Sequence, residues 1–136
     1  MSETHPLKHL ETLLMVAIGG FAGSNLRYFV DLTISPSLMA TMTVNVLGCF
    51  ALGFLLYEEM YGSVISDSGR TVLATGFISS FTTYSTFIVD TVTSAPVLAV
   101  GYVIGSYTLG FAAVLIGRTG ARKITATSQG TTGESE

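Results

Sequence analysis

From Ser79 to Thr86 the chain reads SSFTTYST, and every residue in it except Phe81 carries a hydroxyl. The flanks of this run are apolar, so the hydroxyls fall where a lipid-facing helix should have hydrocarbon. A polar group without a partner in that setting loses several kcal/mol. One or two such hydroxyls would bond back to carbonyls a turn earlier. A run this dense instead faces protein or water, and its Ser, Thr and Gly76 make poor helix, which predicts a break. Broken membrane helices place ion sites, with freed carbonyls suiting cations and amide or hydroxyl donors suiting anions.

Three further polar residues lie at comparable depth. Asn45, in TMTVNVLG, offers an amide that can donate to an anion or tie helices together. Asp90 follows Phe87 by about one turn, and an intramembrane acid is a functional candidate or lines a wet pore mouth. Arg27 stands near the end of an apolar segment, where it either serves the site or snorkels to the interface. Hydroxyls, an amide and the positive edges of Phe and Tyr rings hold a small anion without a full opposing charge, so it can leave again. Fluoride, small and a strong acceptor, fits such a lining, although these residues alone do not choose it over other anions.

These groups must be positioned by membrane helices. Of 136 residues, 49% are hydrophobic and 11% charged, against roughly 25% charged in soluble domains. A spanning helix needs about 20 apolar residues, and four segments qualify: Leu13 to Val30, Leu38 to Tyr57, Thr71 to Val92 and Val97 to Gly117. Gly19, Gly20 and Gly23 would let a neighbouring helix approach the first span closely. Turns are expected at Ser35 to Ser37, Tyr61 to Arg70 and Ser94 to Val97, the last so short that spans three and four are antiparallel neighbours. The organisation is thus a polar start over residues 1–12, a transmembrane domain over 13–117 and a disordered polar tail over 118–136. The start has no signal-peptide pattern. Lys8, Arg70, Arg118, Arg122 and Lys123 share one side, which predicts both termini inside the cell.

Other function classes lack their residues. His5 and His9 lie in the polar start, and Cys49 is the only cysteine, a small apolar filler, so neither a histidine relay nor a multi-cysteine metal site is expected. No basic patch points to nucleic acid. No nucleophile and base pair points to an enzyme. A small multidrug transporter would need an acid inside the first span, and Glu11 lies outside it. A non-transporting packing subunit would explain the glycines and leave the hydroxyl run unexplained.

GGFAGSNLRY at Gly19 to Tyr28, TMTVNVLGCFALG at Thr41 to Gly53 and GFISSFTTYSTF at Gly76 to Phe87 together resemble the CrcB/Fluc fluoride channel family. The resemblance spans three of the four segments in order. It implies an all-α membrane fold of four helices per subunit with a broken third helix, assembled as an antiparallel, dual-topology dimer in the cell membrane. It further implies passive export of fluoride, with Asn45 as a pore donor, Tyr84 and Phe87 flanking the ion, and Ser85, Thr86 and Thr41 adding hydroxyls. Tyr102 and Ser106 match a weaker pattern in the fourth span, and Asp90 falls where the family often has an acid. A structural sodium ion is implied at the dimer centre, held by backbone carbonyls of Ser79 and Thr82. Two departures stand out: Tyr84 replaces the usual Phe, and Ser79 and Ser80 replace a glycine pair. The one-sided Lys and Arg distribution leaves two partners open, a second copy of the chain or an oppositely oriented paralogue.

Overall fold

Apolar composition and length give four membrane-crossing helices, because only a helix satisfies its own backbone groups in hydrocarbon. The computed structural model describes residues 6–61 and 65–130. Within these, apolar spans cover Lys8–Thr33, Ser37–Tyr61, Asp67–Thr93 and Pro96–Ile124. The helices are α1 (Pro6–Thr33), α2 (Ser37–Tyr61), α3 (Asp67–Thr71), a π-helical stretch (Val72–Ile78), α4 (Ser79–Phe81), α5 (Ser85–Thr93) and α6 (Pro96–Gly130). The chain is a multi-pass membrane protein.

Local chemistry sets the ends. Pro36 follows a cis peptide bond with Ser35 and lies just before α2, where it cannot continue α1. Ser66, extended at ψ 156°, accepts from the Gly69 amide at 3.2 Å and caps α3. Pro96 opens α6 at the first helical position, which needs no amide donor. Threonines along the spans bond back one turn, for example Thr43 to the Met39 carbonyl at 2.7 Å and Thr108 to Ile104 at 2.8 Å. Each such bond hides a hydroxyl from lipid.

Two seams hold the helices together, both built where a missing Cβ lets backbones meet. A Cβ on Gly23 of α1 would strike the Phe77 carbonyl, and one on Gly76 would come within 2.7 Å of the Val16 carbonyl. Between α2 and α6, a Cβ on Gly53 would strike the Val114 carbonyl and one on Gly117 the Phe50 carbonyl. Ala40 and Val44 are fully buried, whereas Phe21, Val92 and Val97 stay exposed on the lipid-facing surface. At one end, the buried Glu58 carboxylate pairs with Arg70 Nη2 at 2.8 Å and accepts from the Ile65 amide at 3.1 Å.

Two expectations are corrected. The stretch from Arg118, read as a disordered tail, is helical as far as Gly130, because α6 carries on past its apolar part; residues 131–136 lie outside the described residues. The second turn is shorter than Tyr61 to Arg70, since Tyr61 ends α2 and Asp67–Arg70 is helix. The Ser66 cap starts the helix at Asp67, and the Glu58–Arg70 pair ties it to the end of α2.

Candidate functional site

The hydroxyl run lies where the third span changes course. Helical residues end at Phe81 and resume at Ser85, and Thr82 between them is extended at φ −81°, ψ 162°. Thr83 turns both its backbone groups toward Asn45 of α2. Its amide donates to Asn45 Oδ1 at 2.8 Å, and its carbonyl accepts from Asn45 Nδ2 at 2.9 Å. One side-chain amide thus replaces two helical bonds, and its second N–H remains to be used. Thr83 also starts α5: its hydroxyl accepts from the Thr86 amide at 3.2 Å and donates to Thr86 Oγ1 at 3.0 Å. That bond satisfies one of the donors a helix start leaves open.

The hydroxyls therefore divide. Ser79 bonds back to the Thr75 and Gly76 carbonyls, and Thr82 to the Ile78 carbonyl at 2.9 Å. Thr83, Ser85 and Thr86 bond one another around the turn, with Thr83 and Ser85 oxygens 3.4 Å apart.

A cleft of about 400 Å³ opens beside this turn, lined by Asn45, Thr82, Thr83, Tyr84, Phe87 and Ser106 together with Cys49, Tyr107, Gly110, Phe111 and Val114. Phe87 is buried at its base. Its ring centroid is 6.1 Å from Tyr84, 5.2 Å from Tyr102 and, edge to face, 6.2 Å from Tyr107. Tyr84 is 70% exposed, so the two aromatics differ sharply in setting. The hydroxyls of Tyr102 and Ser106, one turn apart on α6, are buried without a hydrogen-bond partner.

Asp90, Thr41 and Arg27 are not among the residues that line this cleft. Asp90 is 7% exposed and accepts from Thr41 Oγ1 at 2.7 Å and Ser37 Oγ at 2.9 Å. It ties α5 to the start of α2. Arg27 does not reach for the interface: its Nη1 donates to the Thr82 carbonyl at 3.2 Å. Because α1 runs on to Thr33, Arg27 sits more than a turn inside the helix end, and its guanidinium bonds across to the turn of the third span. Thr83 and Tyr107 were not singled out in the sequence. Thr83 was hidden in a uniform run, and Tyr107 had only its position after Ser106 as a signal. Among the described residues no cluster of His, Cys, Asp and Glu could hold a metal.

Four apolar helices with donors, ring edges and a turned backbone gathered at membrane depth define an integral membrane protein of the ion-handling kind. The chain belongs to the CrcB family: the family model described as "CrcB-like protein, Camphor Resistance (CrcB)" matches residues 14–118. It is similar to "Fluoride-specific ion channel FluC 1" of Haloarcula marismortui, at 56% identity over 87% of this chain and 91% of that protein. A second "Fluoride-specific ion channel FluC 1", from Natronomonas pharaonis, is 46% identical over 76% of this chain and 88% of its own. "Fluoride-specific ion channel FluC 2" of Halobacterium salinarum is 45% identical over 85% and 88%.

Proposed function

We propose that this chain is a subunit of a fluoride-selective channel, not an enzyme, that lets fluoride leave the cell passively and so limits its toxicity. The observation that carries this is its 56% identity, over nearly the full length of both chains, to a protein named as a fluoride-specific ion channel. The cleft supports the same reading chemically. Fluoride leaving water needs hydrogen-bond donors, and a buried donor without an acceptor costs about 1–3 kcal/mol. Ser106, which lines the cleft and has no partner, is one such donor, and the spare N–H of Asn45 is a second.

In this reading the ion passes between Asn45 and the ring edges of Phe87 and Tyr84, which attract an anion without fixing it by charge. Ser85 and Thr86 add hydroxyls by the turn. Thr41, turned to Asp90, holds α5 in place, and Asp90 acts as a buried anchor. The interruption at Thr82–Tyr84 is the family's break in the third helix. Two subunits assemble antiparallel, either two copies or this chain with an oppositely oriented paralogue.

A sodium ion, which the family resemblance implies, would be held by the Ser79 and Thr82 carbonyls. The Ser79 carbonyl fits it, and the Thr82 carbonyl would do so once free of Arg27. The Thr83 amide has left the Ser79 carbonyl for Asn45, freeing an oxygen of the hard type that such a cation takes. The Thr82 carbonyl accepts from Arg27 Nη1 at 3.2 Å, so that guanidinium would have to swing aside for sodium to take the same oxygen. When bound, sodium would supply fixed positive charge beside the turn.

Growth of a fluoride-sensitive bacterium lacking its own exporter tests the proposal. Expression of this chain should restore growth in fluoride medium, while Asn45→Leu should not. Failure of the membrane-inserted wild-type chain to restore growth, alone or with its paralogue, would overturn it.

A further inference from the structure

A second polar cavity lies away from the cleft, at the end of the bundle where α2 finishes. It encloses about 420 Å³ and is lined by Tyr57, Tyr61, Leu115, Arg118, Thr119 and Arg122. Arg118 and Arg122 are one turn apart on α6, so both guanidiniums fall on the face toward α2. Tyr57 and Tyr61 are likewise one turn apart on α2, with ring centroids 4.8 Å apart. Thr119 is spent, its hydroxyl bonded back to the Leu115 carbonyl at 2.7 Å.

Among the described residues neither Arg118 nor Arg122 forms an ion pair, whereas Arg70 at the same end has two. Two like charges a turn apart repel, so the pair favours an anion between them. Guanidiniums match phosphate oxygens two bonds at a time. The surroundings indicate where that phosphate comes from. Beside these groups, Leu115, which lines the groove, and its neighbour Ile116 on α6 are 60% and 61% exposed, and Leu56 and Met60, adjacent to the two tyrosines on α2, are 50% and 70% exposed. The groove therefore offers cations and tyrosines suited to headgroup level, with exposed apolar side chains alongside that an acyl chain can lie against.

We propose that this groove holds the phosphodiester headgroup of an anionic membrane lipid. The assignment rests on the arginine pair, the groove and the membrane setting, and is independent of which ion the chain conducts.

Native mass spectrometry of the detergent-solubilised full chain, offered phosphatidylglycerol and phosphatidylcholine in equal amounts, tests it. Phosphatidylglycerol should be retained in preference. Its retention should fall roughly twenty-five-fold in Arg118→Gln/Arg122→Gln, since each cation near a headgroup contributes on the order of a fivefold preference. Arg118→Lys/Arg122→Lys, which keeps the charge and loses the fork, should give an intermediate value. Lys8→Gln, which removes a charge from α1, should leave retention unchanged. Equal retention of the two lipids by the wild-type chain would overturn the assignment, and that comparison decides even if the glutamine variant does not fold. Undiminished retention in a folded glutamine variant would also overturn it. So would displacement of the lipid by millimolar inorganic phosphate, which would assign the groove to a free anion.

Discussion

The two halves of the third span are held by opposite means. Before the turn, the π-helical stretch and α4 lie against α1 through missing side chains: Gly19, Gly23 and Gly76 let backbone meet backbone. After the turn, α5 is held by side-chain groups, with Asp90 accepting from Ser37 and Thr41 and Phe87 packed on Tyr102. Asn45 stands at the junction and fixes Thr83 from both sides. A seam of glycines has one arrangement and no slack. A seam of hydrogen bonds keeps its register by chemistry and leaves polar atoms free to face a cleft. The half held by hydrogen bonds is the one that contributes Tyr84 and Phe87 to the cleft.

Substitutions should separate the two halves. Gly23→Leu would drive a side chain into the Phe77 carbonyl. Overpacking costs about 1–3 kcal/mol in an ordinary core, and here the obstacle is backbone, so little monodisperse protein should survive size-exclusion chromatography. Asn45→Leu should be nearly as damaging, but chiefly to transport. It strips both partners from the Thr83 backbone, each loss costing about 1–3 kcal/mol, and fluoride efflux should fall roughly tenfold or more. Efflux at the wild-type rate would remove Asn45 from the site. Asp90→Asn should be milder, because the amide oxygen still accepts one hydroxyl; a loss of about 1–2 kcal/mol in unfolding free energy is expected, with transport retained. Thr93→Val removes only a hydroxyl bonded back to the Val89 carbonyl at 2.7 Å, and its stability should stay within about 0.5 kcal/mol of wild type. A larger effect there would mean that the second half is held by more than Asp90 and Phe87.

Much of this could be read from residue types, and what could not has identifiable causes. The four spans are legible because length and hydropathy are what a bilayer selects. The hydroxyl run stands out by density, but density does not say which member pairs with Asn45. Thr83 does, because it alone falls where the amide of the next turn is free to leave the helix. Arg27 has no legible direction, since a cation near a helix end is drawn outward to water or inward to a carbonyl, and the length of α1 decides. The run after Arg118 is polar enough to suggest a tail, but it continues a helix already nucleated by twenty-odd apolar residues, so it adds bonds without a new nucleus. The groove at Arg118 and Arg122 was visible only as a charge bias. Tyr57 and Tyr61 face it from a segment more than fifty residues away.

The account stands or falls on which ion crosses. Liposomes reconstituted with this chain alone, loaded with fluoride or chloride and followed by ion-selective electrodes, measure it directly. Rapid fluoride release with little chloride loss is expected, and it would show in addition that the chain suffices without a paralogue. Release of both ions at comparable rates, or no fluoride release even with an oppositely oriented paralogue included, would contradict the account.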